Sequence, residues 1–150
     1  MTLERVSLCT IGFTQTTAED FFNRLLAAEI ARVIDVRLNN TSQLSGFAKA
    51  KDLAYFLKTL GAMEYVHEPL LAPTQDIFTA FKKMKGDWGT YEQRFLDLMD
   101  RRKIDERLSP DLFHNGCLLC SEAKPHHCHR RLVAEYLQER WSTPLQVKHL

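Results

Sequence analysis

The chain has 150 residues, of which 45% are hydrophobic and 26% are charged, as is typical of one globular domain with a sizeable core. Twenty basic and nineteen acidic residues leave a formal net charge of +1. This balance excludes a field of one sign that would favour nucleic acid or an anionic membrane surface.

The sequence carries no signal for a membrane or for secretion. No apolar run approaches the length of a membrane span, and the N-terminus lacks a charged and then apolar signal region. We therefore expect a cytoplasmic protein with no membrane partner. The four cysteines, Cys9, Cys117, Cys120 and Cys128, are in a reducing compartment more often thiols or metal ligands than disulfides.

The first part of the chain predicts a strand, a helix and a second strand. The β-prone run 6–11 predicts the first strand. Thr16 with Glu19 three residues later has the form of a capping box, and an apolar stripe of helical spacing predicts a helix over 17–29. The run 33–36 predicts the second strand. This order is typical of parallel pairing with a right-handed crossover.

The middle of the chain is mostly helical in pattern. Apolar spacing predicts a helix over 51–60, and the weaker run 63–66 predicts a third strand. Residues 73–108 carry two sets of helical neighbours and predict a helical excursion from the sheet.

The last third predicts a buried strand, a turn, a helix and a final strand. The apolar run 116–120 is the strand, Pro125 stiffens the turn, and helical spacing begins near Cys128. Residues 145–150 predict the last strand. Together these elements predict an α/β fold over 1–150, a single compact three-layer domain with a mainly parallel sheet of about five strands.

Seven residues able to do chemistry are concentrated between the end of the strand 116–120 and the start of the last helix. They are Cys120, Glu122, His126, His127, Cys128, His129 and Arg130. A helix that starts near Cys128 places free amide N–H groups and the positive end of its dipole beside these residues. Such a position binds an anion or lowers the pKa of a thiol.

A second polar segment follows the strand 33–36. Its candidate ligand-binding residues are Arg37, Asn39, Asn40, Ser42 and Gln43. In open α/β sheets ligands bind beyond the carboxyl ends of the strands. We therefore expect this segment and the one after residue 120 to meet at one edge.

Four motifs make the chain resemble the family called domain of unknown function 488. They are Thr10-Ile11-Gly12, Asp35-Val36-Arg37, Cys120-Ser121-Glu122 and Cys128-His129-Arg130. The resemblance spans nearly the whole chain. It implies a compact α/β fold with a shared polar site, and it implies no particular reaction.

The leading interpretation is a pocket for a small anionic or nucleotide-like ligand in a hydrolase or transferase. Arg37 and Arg130 would clamp the anion, and Asn39 would orient it. The predicted catalytic residues are Glu122, Cys128 and His129. Glu122 and His129 would move protons. Cys128, or alternatively Cys120, would be the nucleophile.

A structural alternative remains for the charged residues. Asp35 and Glu122 would pair with Arg37 and Arg130 in an ion network that does no chemistry.

A metal site is a further alternative. Cys120 and Cys128, with His129 or a neighbouring histidine, have the side chains that ligate zinc. No Cys-x-x-Cys pair lies in the loop, because Cys117 and Cys120 fall on a predicted strand, where residues three apart point to opposite faces. The spacing therefore favours no cofactor, with zinc kept as the runner-up.

A non-catalytic module that binds nucleic acid or regulates a partner is the competing class of function. The basic runs 82–85 and 101–103 lie near Trp88 and Tyr91, which could stack on bases. Acidic residues are interleaved with both runs, and that pattern favours a solvated helix face.

Overall fold

The computed structural model describes residues 3–41 and 46–150. Within them, five strands form one sheet in the order β3-β2-β4-β1-β5, and every neighbouring pair is parallel. The strands are β1 (Val6–Gly12), β2 (Arg32–Asp35), β3 (Glu64–His67), β4 (Gly116–Cys120) and β5 (Leu145–His149). The predicted α/β class is confirmed, and the ends of the predicted strands shift by no more than one residue.

The helices flank the sheet on both faces. They are α1 (Ala18–Ala27), α2 (Ala50–Gly61), α3 (Gln75–Lys82), α4 (Trp88–Arg102), α5 (Ile104–Arg107), α6 (Pro110–Phe113) and α7 (His129–Arg140). The predicted excursion at 73–108 contains α3, α4 and α5. None of the described helices is both long enough and apolar enough to cross a membrane.

The predicted capping box is wrong by one residue. Thr17 caps α1, since its hydroxyl accepts a hydrogen bond from the backbone N–H of Asp20 at 3.1 Å. The Thr16 hydroxyl instead donates to the Asp20 carboxylate at 2.9 Å. Thr16 and Thr17 have the same capping hydroxyl, and the sequence pattern alone did not show which of them precedes the helix.

Two apolar clusters give the domain its three layers. On the face that we call the α7 face, Val36, Leu118 and Cys120 pack with α3 to α7. On the opposite face, the α1 face, Cys117 and Leu119 pack with α1 and α2. Successive residues of β4 alternate between these clusters, so Cys117 and Cys120 point to opposite faces as predicted.

The carboxyl ends of three central strands lie side by side. Gly12 of β1 pairs with Cys120 of β4, and Asp35 of β2 pairs with Leu119. The segments that leave these strands therefore start from one edge of the sheet, where ligands bind in open α/β folds.

Candidate functional site

The end of β4 and the start of α7 bring three reactive side chains together. Cys128 is the residue that precedes α7, and His129 is its first residue. The Cys120 sulfur lies 3.6 Å from His129 Nδ1. The two sulfurs and a ring nitrogen of His129 all lie within 4.8 Å of one another. Each of the three residues is at most 7% exposed. The loop between β4 and α7 therefore brings two residues that are nine positions apart into contact in the interior.

The other ring nitrogen of His129 fixes the orientation of the imidazole. Its Nε2 lies 2.6 Å from the carbonyl oxygen of Val36. A carbonyl only accepts hydrogen bonds, so Nε2 carries the hydrogen and donates it. In the neutral ring, Nδ1 is then the free acceptor that faces the Cys120 sulfur.

The two neighbouring thiols differ in acidity. The pKa of Cys120 is lowered, first because the Cys128 side chain donates a hydrogen bond to it; burial opposes the shift and the Arg130 guanidinium assists it. The pKa of Cys128 is raised well above its usual value, chiefly by burial and then by its bond to Cys120. Cys120 is therefore the thiol that ionises first.

These side chains form one wall of a cavity of about 280 Å³ on the α7 face. The aromatic rings of Phe78, Phe81 and Tyr91, contributed by α3 and α4, form another wall. The cavity is lined by Phe78, Phe81, Lys82, Tyr91, Cys120, Ser121, Glu122, His127, Cys128 and His129.

A charged pair forms the exposed part of the cavity wall. Lys82 Nζ lies 2.6 Å from Glu122 Oε1, and the two side chains are 40% and 45% exposed. The structural alternative predicted that Glu122 would pair with a buried arginine, but its carboxylate reaches the end of α3 instead.

Arg130 lies beneath the loop rather than in the cavity wall. Its side chain is fully buried, and it donates from Nε to the Thr10 hydroxyl at 3.2 Å and from Nη1 to the Glu122 carbonyl at 2.5 Å. Within the described residues its Nη2 has no hydrogen-bond partner. A Cβ on Gly12 would lie 1.6 Å from that same carbonyl oxygen, so the loop can close against β1 only because residue 12 is glycine.

Arg37 belongs to a separate network on the α1 face. Its Nε and Nη2 donate to both carboxylate oxygens of Asp35, at 2.8 and 2.7 Å, and both side chains are almost fully buried. The Tyr65 hydroxyl donates to the same carboxylate at 2.5 Å, and Asn40 Nδ2 donates to that hydroxyl at 3.1 Å. The Arg37 guanidinium lies 5.2 Å from the centre of the Phe13 ring. Phe13 packs in the α1-face cluster.

The predicted site residues therefore separate into two groups. Glu122, Cys128 and His129 line the cavity, whereas Arg37 and Arg130 are not among its lining residues. Asn39 is exposed in the loop after β2. The predicted ligands Ser42 and Gln43 lie outside the described residues.

Sequence reasoning missed the part of the cavity that α3 and α4 supply. Phe78, Phe81, Lys82 and Tyr91 have an ordinary amphipathic spacing, and nothing local shows which sheet edge they cover. Trp88, named as a possible stacking residue, packs against Tyr91 and against the ring of His127 at 4.8 Å.

Besides Lys82, two basic residues of the helical excursion have partners within the domain. Arg94 pairs with Asp76 at 3.1 Å. Arg102 Nη1 donates to the carbonyls of the 3₁₀ turn Pro69–Leu71 and of Ala72. These contacts agree with the interleaved acidic residues in pointing to a solvated helix face.

Comparison with known proteins gives a family and no activity. Residues 17–137 match the family model described as Domain of unknown function DUF488. No curated protein and no solved structure matches the chain. Because the match covers well over half of the chain, the protein belongs to the DUF488 family.

Proposed function

We propose that the protein is an enzyme that binds a small anionic or nucleotide-like ligand in this cavity and acts by hydrolysis or group transfer. The observation that carries the proposal is the convergence of Cys120, Cys128 and His129 on one wall of a cavity at the carboxyl edge of the sheet. Reactive groups at this edge are the usual arrangement of α/β enzymes.

The shape and chemistry of the cavity support a small, partly planar ligand. Its volume of about 280 Å³ is just below the usual range of about 300–1,000 Å³ for small-molecule sites. The rings of Phe78, Phe81 and Tyr91 offer apolar faces to a flat group such as a nucleobase.

Lys82 is the group that would bind the anionic part of the ligand. It is paired with Glu122, but the pair is about half exposed, and such pairs contribute only about 0–1 kcal/mol. An incoming phosphate or carboxylate can therefore take the ammonium group from Glu122 at little cost. The released carboxylate is then free to accept a proton and later to return it to a leaving group.

The remaining residues support the site from behind. Arg130 holds the Glu122 carbonyl, and His129 and the two cysteines form the reactive wall. A cytoplasmic location, which we infer from the free thiols, would keep this wall reduced.

Ligand binding can be tested with a matched pair of lysine variants. We would screen nucleotides and sugar phosphates by thermal shift and measure any binder by calorimetry with the wild type, Lys82→Ala and Lys83→Ala. A ligand at a hundredfold excess over its Kd adds about 2.7 kcal/mol of stability. We expect Lys82→Ala to lose most of this gain. Lys83 is exposed and next in sequence, and its variant should keep the gain.

Turnover is tested separately, because binding alone would also suit a regulatory module. Each ligand that binds is incubated with the wild type and with Glu122→Gln, and products are followed by mass spectrometry. Product from the wild type but not from the variant is the expected result. Binding that is unaffected by Lys82→Ala, or a bound ligand that is never converted, would refute the proposal.

A further inference from the structure

We propose that Cys120, Cys128 and His129 bind a zinc ion whose fourth coordination position opens into the cavity. The inference assigns a metal to the wall on which the proposed function rests, but metal binding itself requires no turnover. The sequence spacing favoured no metal, because the two cysteines do not lie within one loop, and this proposal reverses that preference.

The separations among the three ligand atoms suit a tetrahedral zinc ion. Bonds of about 2.3 Å to sulfur and about 2.0–2.1 Å to nitrogen, at tetrahedral angles, place sulfur and nitrogen about 3.5 Å apart. The Cys120 sulfur and His129 Nδ1 are 3.6 Å apart. The Cys128 sulfur lies within 4.8 Å of the Cys120 sulfur and of a ring nitrogen of His129, and two sulfurs bound to one tetrahedral zinc ion are about 3.8 Å apart.

The imidazole of His129 is already held as a metal-binding imidazole is held. A histidine that ligates a metal through one nitrogen usually donates its other N–H to a carbonyl or carboxylate, which fixes the tautomer. Here Nε2 is 2.6 Å from the Val36 carbonyl oxygen, and Nδ1 faces the sulfurs. This second contact is independent of the clustering of the three side chains.

Charge also favours a metal at this position. Two thiolates and one divalent cation sum to zero, so the ion removes the cost of burying two negative sulfurs. Cys128 immediately precedes α7, so the partial positive charge at the N-terminal end of this helix lies beside its sulfur.

The number of ligands points to a catalytic rather than a structural metal. Structural zinc sites have four protein ligands, whereas catalytic sites have three and keep one position for water or substrate. In the described part of the chain, no fourth histidine, cysteine or carboxylate joins the group. The cavity provides the space for a water molecule and a ligand.

Such a site would make the proposed enzyme a hydrolase. Zinc lowers the pKa of a bound water, a carboxylate that is not a ligand takes one of its protons, and the hydroxide adds to an electrophilic carbon or phosphorus. The bond from that carbon or phosphorus to the leaving group then breaks, and the carboxylic acid passes its proton to the leaving group, so water is the only co-reactant. Glu122 is the carboxylate in the cavity wall.

The test is the metal content and the cobalt spectrum of the full chain. We expect one zinc per chain by elemental analysis after equilibration with zinc and removal of the excess. Cobalt(II) in its place should give the visible bands of a tetrahedral ion and a thiolate-to-cobalt absorption with the intensity of two thiolates.

Variants locate the site. Cys120→Ser, Cys128→Ser and His129→Gln should each weaken metal binding more than about 100-fold, because loss of an outer partner alone costs about 10–100-fold. His127→Gln is the matched control within the same cavity wall, and Cys9→Ser is the control thiol on the other face; both should bind as the wild type does. Circular dichroism checks that each variant is folded.

Three results would overturn the assignment. They are a wild type without the thiolate-to-cobalt absorption, metal binding that survives both cysteine changes, and metal loss in the control variants. If a ligand variant fails to fold, the intensity in the wild type still counts the thiolates. Zinc binding without any anionic ligand would leave this inference standing while the proposed function fails. Turnover that depends on Lys82 in a wild type that binds no zinc would do the reverse.

Discussion

The buried pair of Arg37 and Asp35 should be the most costly ion pair of the domain to break. The two side chains are 2% and 0% exposed and share two hydrogen bonds of 2.8 and 2.7 Å. In Arg37→Ala the Asp35 carboxylate keeps only the Tyr65 hydroxyl and the backbone N–H of residue 37. A buried carboxylate is left without a neighbouring cation, and this is the reason for the expected loss.

The structure also sets the size of the effect. Removing one member of a buried pair costs about 3–5 kcal/mol. Arg37 Nη1 has no hydrogen-bond partner among the described residues, so the intact pair is not fully satisfied and we expect the lower end, about 3 kcal/mol. At about 2–4 °C per kcal/mol for a domain of this size, Tm should fall by roughly 6–12 °C.

Urea unfolding followed by circular dichroism measures this loss, with Arg94→Ala as the matched control. Arg94 pairs with Asp76, but the side chains are 41% and 76% exposed, and an exposed pair contributes at most about 1 kcal/mol. An equal loss of unfolding free energy in the two variants would refute this expectation, because it would show that burial does not set the strength of the Arg37 pair.

Three further changes test other contacts. Gly12→Ala should destabilise the domain by about 1–3 kcal/mol and disturb the cavity, because the added Cβ would lie 1.6 Å from a carbonyl oxygen. Urea unfolding measures the loss. Gly46→Ala is the control, because its Cβ would meet nothing within 4 Å. Arg102→Ala should cost about 1.5–3 kcal/mol by the same assay, because one guanidinium nitrogen caps three carbonyls, whereas exposed Arg101→Ala should be near neutral. Burial, and then the bond to a carboxylate, raise the pKa of Tyr65 to about 12. The contribution of the Tyr65 hydroxyl to stability should be complete below about pH 10 and be lost as the pH rises towards 12. Tyr65→Phe should therefore be less stable than the wild type at pH 8, and its free energy of unfolding should change less between about pH 10 and 12.

Local periodicity was sufficient to predict the five strands and the longer helices of the fold. Period-two and period-3.6 patterns mark buried strands and amphipathic helices, and all five predicted strands are present. The α7 start near Cys128 followed from the same patterns. Local patterns do not contain the packing of α3 and α4 over the sheet edge, which supplies four of the ten residues that line the cavity.

The sequence predicted that the segments after β2 and β4 start from one edge of the sheet, and it did not resolve the two faces of that edge. Alternation along β2 assigns Asp35 and Arg37 to the same side as Val33, which packs on the α1 face, and Val36 to the other. The expectation that Arg37 would meet Glu122 considered only the sheet edge at which both segments start, and not the face to which each side chain points. The clustering of Cys120, Cys128 and His129 was not the favoured prediction for a similar reason, because ligand spacing within a loop does not describe a strand end that meets a helix start.

The backbone of residues 35–37 joins the two faces of the sheet. The Val36 carbonyl orients His129 on the α7 face, while the side chains on either side of it are fixed by their own ion pair on the α1 face. The Arg37 carbonyl adds a third tether, since it lies 3.1 Å from Nε2 of His67. The imidazole that faces the two thiols is therefore held by a strand end that the buried pair anchors from behind.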